Sequence, residues 1–301
     1  MRVDFLAYIA CRTFVWFVNL LPLSAALRLG NAIGGAAFRL HGARRRMVAD
    51  NIMKAFGPQM TSAGALAIAA SFYRNLGASL VEFARIERLD RAYVDLNVTF
   101  EGLEHADREL KKGKGVVFLS AHFGNWELLN ASLALKGYPV NAVVRPLDNP
   151  YMDDYIERLR TRFGGSVIGK KNAVRKMMGV LNRNGILGIL LDQRASRRDG
   201  VEVDFFGLPA RTSKGLAAIV MKTGSAVIPV FIRREGGLRG GLKHRVTLRP
   251  PLEITSTGLR EEAIRENTQR FTSAIEGFIR PYPSEWFWFH SRWERRRKRQ
   301  S

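Results

Sequence analysis

Residues 115–137 read GVVFLSAHFGNWELLNASLALKG, and within them a strand pattern gives way to a helix pattern. Val116 to Ser120 is a short apolar run of ordinary strand length, and from Trp126 onward the apolar residues recur at helical spacing. Between the two stand His122, Gly124, Asn125 and Glu127. On one continuous helix His122 and Glu127 would lie about 140° apart and could not meet. If the strand ends at Ser120, Gly124 permits a tight bend and Asn125 caps the helix. Glu127 then falls in the first helical turn, where a carboxylate is favoured, and His122 can reach it from the loop. Junctions of this kind are where α/β sheets build their sites.

The rest of the chain supports the same class. VNAVVR (140–145), ILGILLD (186–192) and AVIPVFIR (226–233) are further strand-length runs. Helical stretches at 151–163, 172–184 and 214–223 lie between them, each stopped by glycine. EGGLRGG (235–241) reads as a loop into a second strand, HRVTLRPPLEI (244–254), which predicts an antiparallel pair, and a long amphipathic helix follows at 258–279. Residues 1–95 are mainly helical, with Arg44, Arg45 and Arg46 ahead of a helix over 63–85. The fold class expected is α/β, a central mostly parallel or mixed sheet flanked by helices. A helical, membrane-associated N-terminal region (1–95) precedes the α/β domain (96–293), and a basic tail (294–301) follows it.

The chain has 301 residues, 46% of them hydrophobic, which excludes general disorder, and a net charge of +21, which points to an anionic partner. Its one cysteine, Cys11, excludes an intrachain disulfide and a multi-thiolate metal site. Thr13 to Leu27 carries no charge and is the candidate membrane segment, with Pro22 predicting a kink. At 15 residues it is shorter than the roughly 20 of a full span, so Arg12 would have to snorkel or the helix lie in the interface. A buried core helix and a cleaved signal are the alternatives, the latter weakened by Asp4 and Arg12.

A histidine near neutrality can take a proton from an alcohol while a carboxylate on its other nitrogen holds the tautomer. This is the logic of a triad with the substrate hydroxyl as nucleophile. Ser120 is not set in a G-x-S-x-G elbow, so no acyl-enzyme is expected. The spacing alone also allows a capped helix beside an ordinary loop histidine. Asp192, ending its strand, should emerge at the same sheet edge as His122, and Arg145, ending another, is a candidate for anionic substrate. Thr212 or Ser213 reads as the cap of a helix whose amides could hold a phosphate, or as a cap and nothing more. No metal or other cofactor is expected, because no His and carboxylate cluster has ligand spacing.

HFGNWE resembles the His, four residues, Asp or Glu motif of the glycerolipid acyltransferases. With VVRPLDNPYMDDYIERLRTRFG, LLDQR, VDFFGLPARTSKGLAAIVMKTGSAVIPVF and EWFWFHSRWERR in that order, the chain is similar to the late acyltransferases of lipid A biosynthesis over about 120–293. The resemblance implies that His122 and Glu127 are catalytic. It implies that Arg160, in register from Asn149 and Pro150, binds substrate or stabilises the transition state, and that Asp192 matches a family acid. Many relatives carry a second acid after it, where this chain has Gln193 and Arg194. Asn125, Arg145 and Thr212 complete the candidate substrate-binding set.

The resemblance further implies an acyl donor, acyl carrier protein or acyl-coenzyme A, and an anionic membrane lipid acceptor. It implies a place on the cytoplasmic face of a bacterial inner membrane. Trp286, Phe287, Trp288, Phe289 and Trp293 before a polybasic run suit an anionic membrane surface, although the aromatics equally suit a core. A nucleic-acid-binding protein would share the charge, but no zinc spacing, RNP-like strand or helix-turn-helix supports it, and no nucleic-acid partner is expected. An esterase or thioesterase using the same His and Glu on water is the other rival.

Overall fold

The computed structural model describes residues 2–169, 172–236 and 243–293. Five helices precede the first strand: α1 (Arg2–Leu20), α2 (Leu23–Leu40), α3 (Gly42–Phe56), α4 (Ser62–Ala84) and α5 (Arg91–Asn97). The apolar N-terminal segment is therefore two helices, with a break at Leu21 and Pro22 where Thr13–Leu27 was expected to run through with a kink. Pro22 has no N–H to continue the helix. Arg85 Nη1 donates to the carbonyls of Val18 (2.6 Å) and Leu21 (2.9 Å) at the end of α1 and so finishes the helix. Arg12 lies over the Tyr155 ring at 4.5 Å, which gives its charge a place beside the protein. Among the described residues α1 is the one helix long and apolar enough to cross a membrane, and only 11% of that window is buried.

The strands are β1 (Val98–Glu101), β2 (Val116–Ser120), β3 (Val140–Val143), β4 (Ser166–Ile168), β5 (Ile186–Leu190), β6 (Gly200–Phe205), β7 (Leu208–Ser213), β8 (Ala226–Arg234) and β9 (His244–Leu248). Seven form one sheet in the order β1-β9-β8-β2-β5-β3-β4. Every pair in it is parallel except β8 with β9. The crossover helices are α7 (Trp126–Leu135), α8 (Pro150–Thr161), α9 (Ala173–Asn182) and α10 (Gly215–Thr223), while α6 (Leu103–Leu110) links β1 to β2 and α11 (Arg260–Ile279) follows β9. The mixed sheet flanked by helices is as expected.

β2 is buried along its whole length, as a central strand covered on both faces must be. Val116 and Phe118 face Leu128, Leu129 and Leu133 of α7. Val117 and Leu119 face the opposite core, where Phe271 of α11, Leu216 of α10 and Ile52 and Phe72 of α3 and α4 meet. Helices of the N-terminal region thus complete the main core.

Four strands have weak signals in the sequence. β1 and β4 are four and three residues long. β6 and β7 form a separate antiparallel hairpin turned at Phe206 and Gly207, both with positive φ. That conformation usually advertises itself with Asn-Gly, and here a phenylalanine occupies it. β9 ends at Leu248 ahead of two prolines rather than running to 254, and Leu252 bonds to Val227 as an isolated bridge. Most of the 235–241 loop and the 294–301 tail lie outside the described residues.

Candidate active site

The chain leaves β2 at Ser120, and His122 is the second residue beyond it. Gly124 has φ +58°, and a Cβ there would stand 2.0 Å from the Ile232 carbonyl oxygen, so this turn demands glycine. Asn125 then caps α7, accepting from the Leu128 N–H at 3.1 Å, and Glu127 sits in the first turn. The break that the motif needs is present.

The carboxylate on the histidine, however, is Asp192 and not Glu127. Oδ1 of Asp192 lies 2.9 Å from His122 Nδ1, and its Oδ2 accepts from the His122 backbone N–H at 3.1 Å. Asp192 stands just past the end of β5, the strand paired with β2, so the two emerge side by side at one sheet edge. It is 1% exposed. Burial alone would raise its pKa, but the His122 ring and the donors around it outweigh burial and hold the carboxyl well below the usual range. Burial disfavours the imidazolium, yet the charge and hydrogen bond of Asp192, helped by the Glu127 charge, raise the His122 pKa above its ordinary value. With Nδ1–H donated to Asp192, Nε2 is the unprotonated nitrogen of the neutral ring, 3.4 Å from Gln193 Nε2.

Glu127 is instead clamped by Arg160 of α8. Nε donates to Oε2 at 3.0 Å and Nη2 to Oε1 at 2.5 Å. Burial works against the guanidinium charge, and the Glu127 bond and charge overcome it, raising the Arg160 pKa.

His122, Glu127, Arg160, Arg145 and Gln193 line the polar end of one cavity of about 380 Å³. Its remaining walls are mostly apolar, drawn from Phe118, Leu133, Val140, Ile189 and Val230, with Ser120 and Asn130 among them. Gly188 of β5 also lines it, and a Cβ there would come within 2.5 Å of Val140 Cγ1.

Two of the residues expected to bind substrate do not reach this cavity. Asn125 is buried behind it, its Oδ1 used by the cap and its Nδ2 donating to Glu82 Oε2 at 2.8 Å. Thr212 lies within β7, fully buried, and its hydroxyl accepts from Arg292 Nη2 at 2.5 Å. α10 begins at Gly215 after Lys214 with no side-chain cap, so Thr212 is not its cap. Of the two readings open for the C-terminal aromatics, a membrane surface or a core, the tryptophans take the core: Trp286 and Trp288 are each 1% exposed.

Sequence reasoning missed the residues that hold the site from behind. Glu82 of α4 makes a bidentate pair with Arg234 of β8 (2.6 and 2.8 Å) and anchors Asn125. Burial opposes its charge, but His244 and Arg234 drive its pKa far below the ordinary carboxylate range. A lone acid in the apolar run LGASLVEFA was the available signal. Trp286 donates Nε1–H to Asp192 Oδ2 at 2.8 Å. Phe287 N–H bonds to the His122 carbonyl at 2.8 Å, and Gly124 N–H to that of Glu285 at 2.8 Å.

A crossover-built sheet thus carries a histidine and its acid at its carboxyl edge, opening on a largely apolar cavity. Residues 2–295 match the model of the bacterial lipid A biosynthesis acyltransferase family, and the chain belongs to that family. It is 26% identical over 283 residues to the lipid A biosynthesis palmitoleoyltransferase of Escherichia coli K12, covering 94% of this chain and 89% of that one. To a lipid A biosynthesis acyltransferase of Haemophilus influenzae it is 25% identical over 190 residues, spanning 63% of this chain and 57% of the relative. To the phosphatidylinositol mannoside acyltransferase of Mycobacterium tuberculosis it is 28% identical over 195 residues, 64% of this chain and 58% of that one. The crystal structure of the 1-acyl-sn-glycerophosphate acyltransferase of Thermotoga maritima overlaps with a TM-score of 0.37 at 17% identity, covering 85% of this chain and 97% of that chain.

Proposed function

We propose that this protein transfers a fatty acyl group from an acyl thioester, carried by acyl carrier protein, to a hydroxyl of a membrane glycolipid, with a lipid A precursor as acceptor. The observation that carries the reading is the pairing of His122 Nδ1 with buried Asp192, which leaves Nε2, beside the Gln193 amide, as the unprotonated nitrogen at the polar end of a largely apolar cavity. The acceptor hydroxyl gives its proton to Nε2 as its oxygen attacks the thioester carbonyl. Asp192 stabilises the imidazolium that forms. Arg160, held by Glu127, has Nη1 without a partner among the described residues and faces the developing oxyanion. Collapse breaks the carbon–sulfur bond, and the departing thiolate takes the proton back from Nε2. No acyl-enzyme forms.

The apolar outer face of α1, with Phe5, Leu6, Ile9, Trp16 and Phe17 exposed, supports a membrane-bound enzyme. The net charge of +21 fits both an acidic carrier protein and the anionic surface of an inner membrane approached from the cytoplasm. The test presents purified protein with acyl carrier protein and coenzyme A thioesters against a lipid A precursor, a lysophospholipid and a phosphatidylinositol mannoside, with products weighed by mass spectrometry. An acylated lipid A precursor formed from the carrier-protein thioester is expected. Acylation of another acceptor alone, or release of free fatty acid alone, rejects the reading.

A further inference from the structure

The buried Asp192 carboxylate receives three hydrogen bonds among the described residues. Two come from His122 itself, through Nδ1 and the backbone N–H. The third comes from Trp286 Nε1, 2.8 Å from Oδ2 and 94 residues further along the chain. An orienting group held only by the group it must orient would be free to turn with it. Among the described residues the indole N–H is the one donor that is independent of the histidine.

The segment carrying that indole is built onto the catalytic loop. Phe123 and Trp286 form an antiparallel bridge, flanked by the Gly124–Glu285 and Phe287–His122 backbone bonds. Asn51 of α3 ties the segment down further on, donating to the Trp288 and His290 carbonyls at 3.1 Å each. The indole packs between Trp288, with ring centroids 4.5 Å apart, and Phe205, at 5.5 Å, so its N–H has one direction available. His290 approaches Asp192 Oδ2 to 3.9 Å but has no hydrogen-bond partner for either ring nitrogen among the described residues. Burial drives its pKa down to about 4, so at neutral pH it brings no charge to the carboxylate.

We propose that Trp286 is a positioning residue for acyl transfer: its indole N–H holds Asp192 in place against His122 and takes up part of the carboxylate's charge. The inference rests on the reading of His122 and Asp192 as the proton-handling pair. A donor on Oδ2 draws negative charge away from Oδ1, so it moderates the pull of Asp192 on the Nδ1 proton. Removing only that donor strengthens the pull, favours the imidazolium, and loosens the carboxylate. The other charged or titratable groups facing His122 are Glu127 of α7, Arg160 of α8 and His290, and Arg292 faces the Asp192 side. None of them depends on the indole N–H.

The test replaces Trp286 with 3-benzothienylalanine, whose sulfur stands where the N–H was and whose shape is nearly the same, and compares it with Trp286→Phe. Both proteins are assayed with an acyl thioester and a lipid A precursor over a range of pH. The benzothienyl protein is expected to lose about tenfold in kcat with KM unchanged. The acid limb of its pH profile should move up by roughly half a unit. A benzothienyl protein with wild-type kcat, or with an acid limb that stays or moves down, overturns the proposal. Asp192→Asn separates this failure from that of the underlying reading: an active Asp192→Asn rejects the pair itself, whereas an inactive one beside a wild-type-like benzothienyl protein rejects Trp286 alone.

Discussion

His122 Nδ1 and Asp192 Oδ1 stand 2.9 Å apart, although 70 residues of chain separate them, while Glu127, five residues from the histidine, turns away to Arg160. The two acids of the site therefore have different work. Asp192 pairs with the histidine, and Glu127 holds the Arg160 guanidinium at the cavity; in the proposed mechanism the first orients the base.

Asp192→Asn keeps the shape but offers Nδ1 a different hydrogen-bonding face, so kcat should fall about 10³-fold or more with little change in KM. Steady-state kinetics on the folded variant checks this.

In the proposed mechanism neutral His122 is the base, so activity is expected to fall as pH drops through its raised pKa. Glu127 contributes to that rise, and Glu127→Gln should therefore move the acid limb of kcat/KM to lower pH as well as reducing kcat. A limb moved to higher pH would contradict the placement of its charge near the ring.

Arg160→Met leaves the Glu127 carboxylate half-buried without its partner, and should cost roughly 2–4 kcal/mol of stability. Adding Glu127→Gln should restore much of that loss while restoring no activity. Chemical denaturation of both variants measures the difference.

Gly188→Val fills the cavity where even a Cβ meets Val140. Donor preference should shift to shorter acyl chains, by about fourfold in kcat/KM for each methylene excluded. Competition among thioesters of different length reads this directly.

Burial lifts the Glu285 carboxyl to about pKa 7, with Arg234 opposing the rise. Between its unfolded value and 7 the folded protein holds a proton that the unfolded chain releases, so stability falls as pH rises across that window. Glu285→Gln should flatten this slope, raising Tm at pH 8 by roughly 5 °C and changing it little at pH 4. Thermal scans at the two pH values test it.

The local parts of the site were legible in the sequence. The strand-to-helix junction, the Asn125 cap and the Gly124 turn follow from neighbouring residues, and so did the placement of His122 and Glu127 on a break. Asp192 could be put at the right sheet edge because its strand could be recognised. What spacing could not supply was the pairing across that edge. Proximity in the chain favoured Glu127 as the histidine's acid, while the β2–β5 register brings Asp192 closer. Thr212 illustrates the opposite error, since a Thr-Ser before a helix reads as a cap until a buried arginine claims the hydroxyl. The aromatic run at 286–293 has the composition of a membrane interface and of a core alike, and only packing tells them apart.

Biosynthesis meets this architecture in time. A chain is made from its first residue forward, so Glu82, His122, Glu127, Arg160 and Asp192 all exist before Trp286 does. A polypeptide stopped after 250 residues would carry every residue of the motif and still lack the bridge at Phe123 and the third donor on Asp192. The motif alone is therefore a poor guide to whether a fragment or a domain fusion is competent, and a boundary drawn upstream of residue 285 would part the His122 loop from the segment bridged to it.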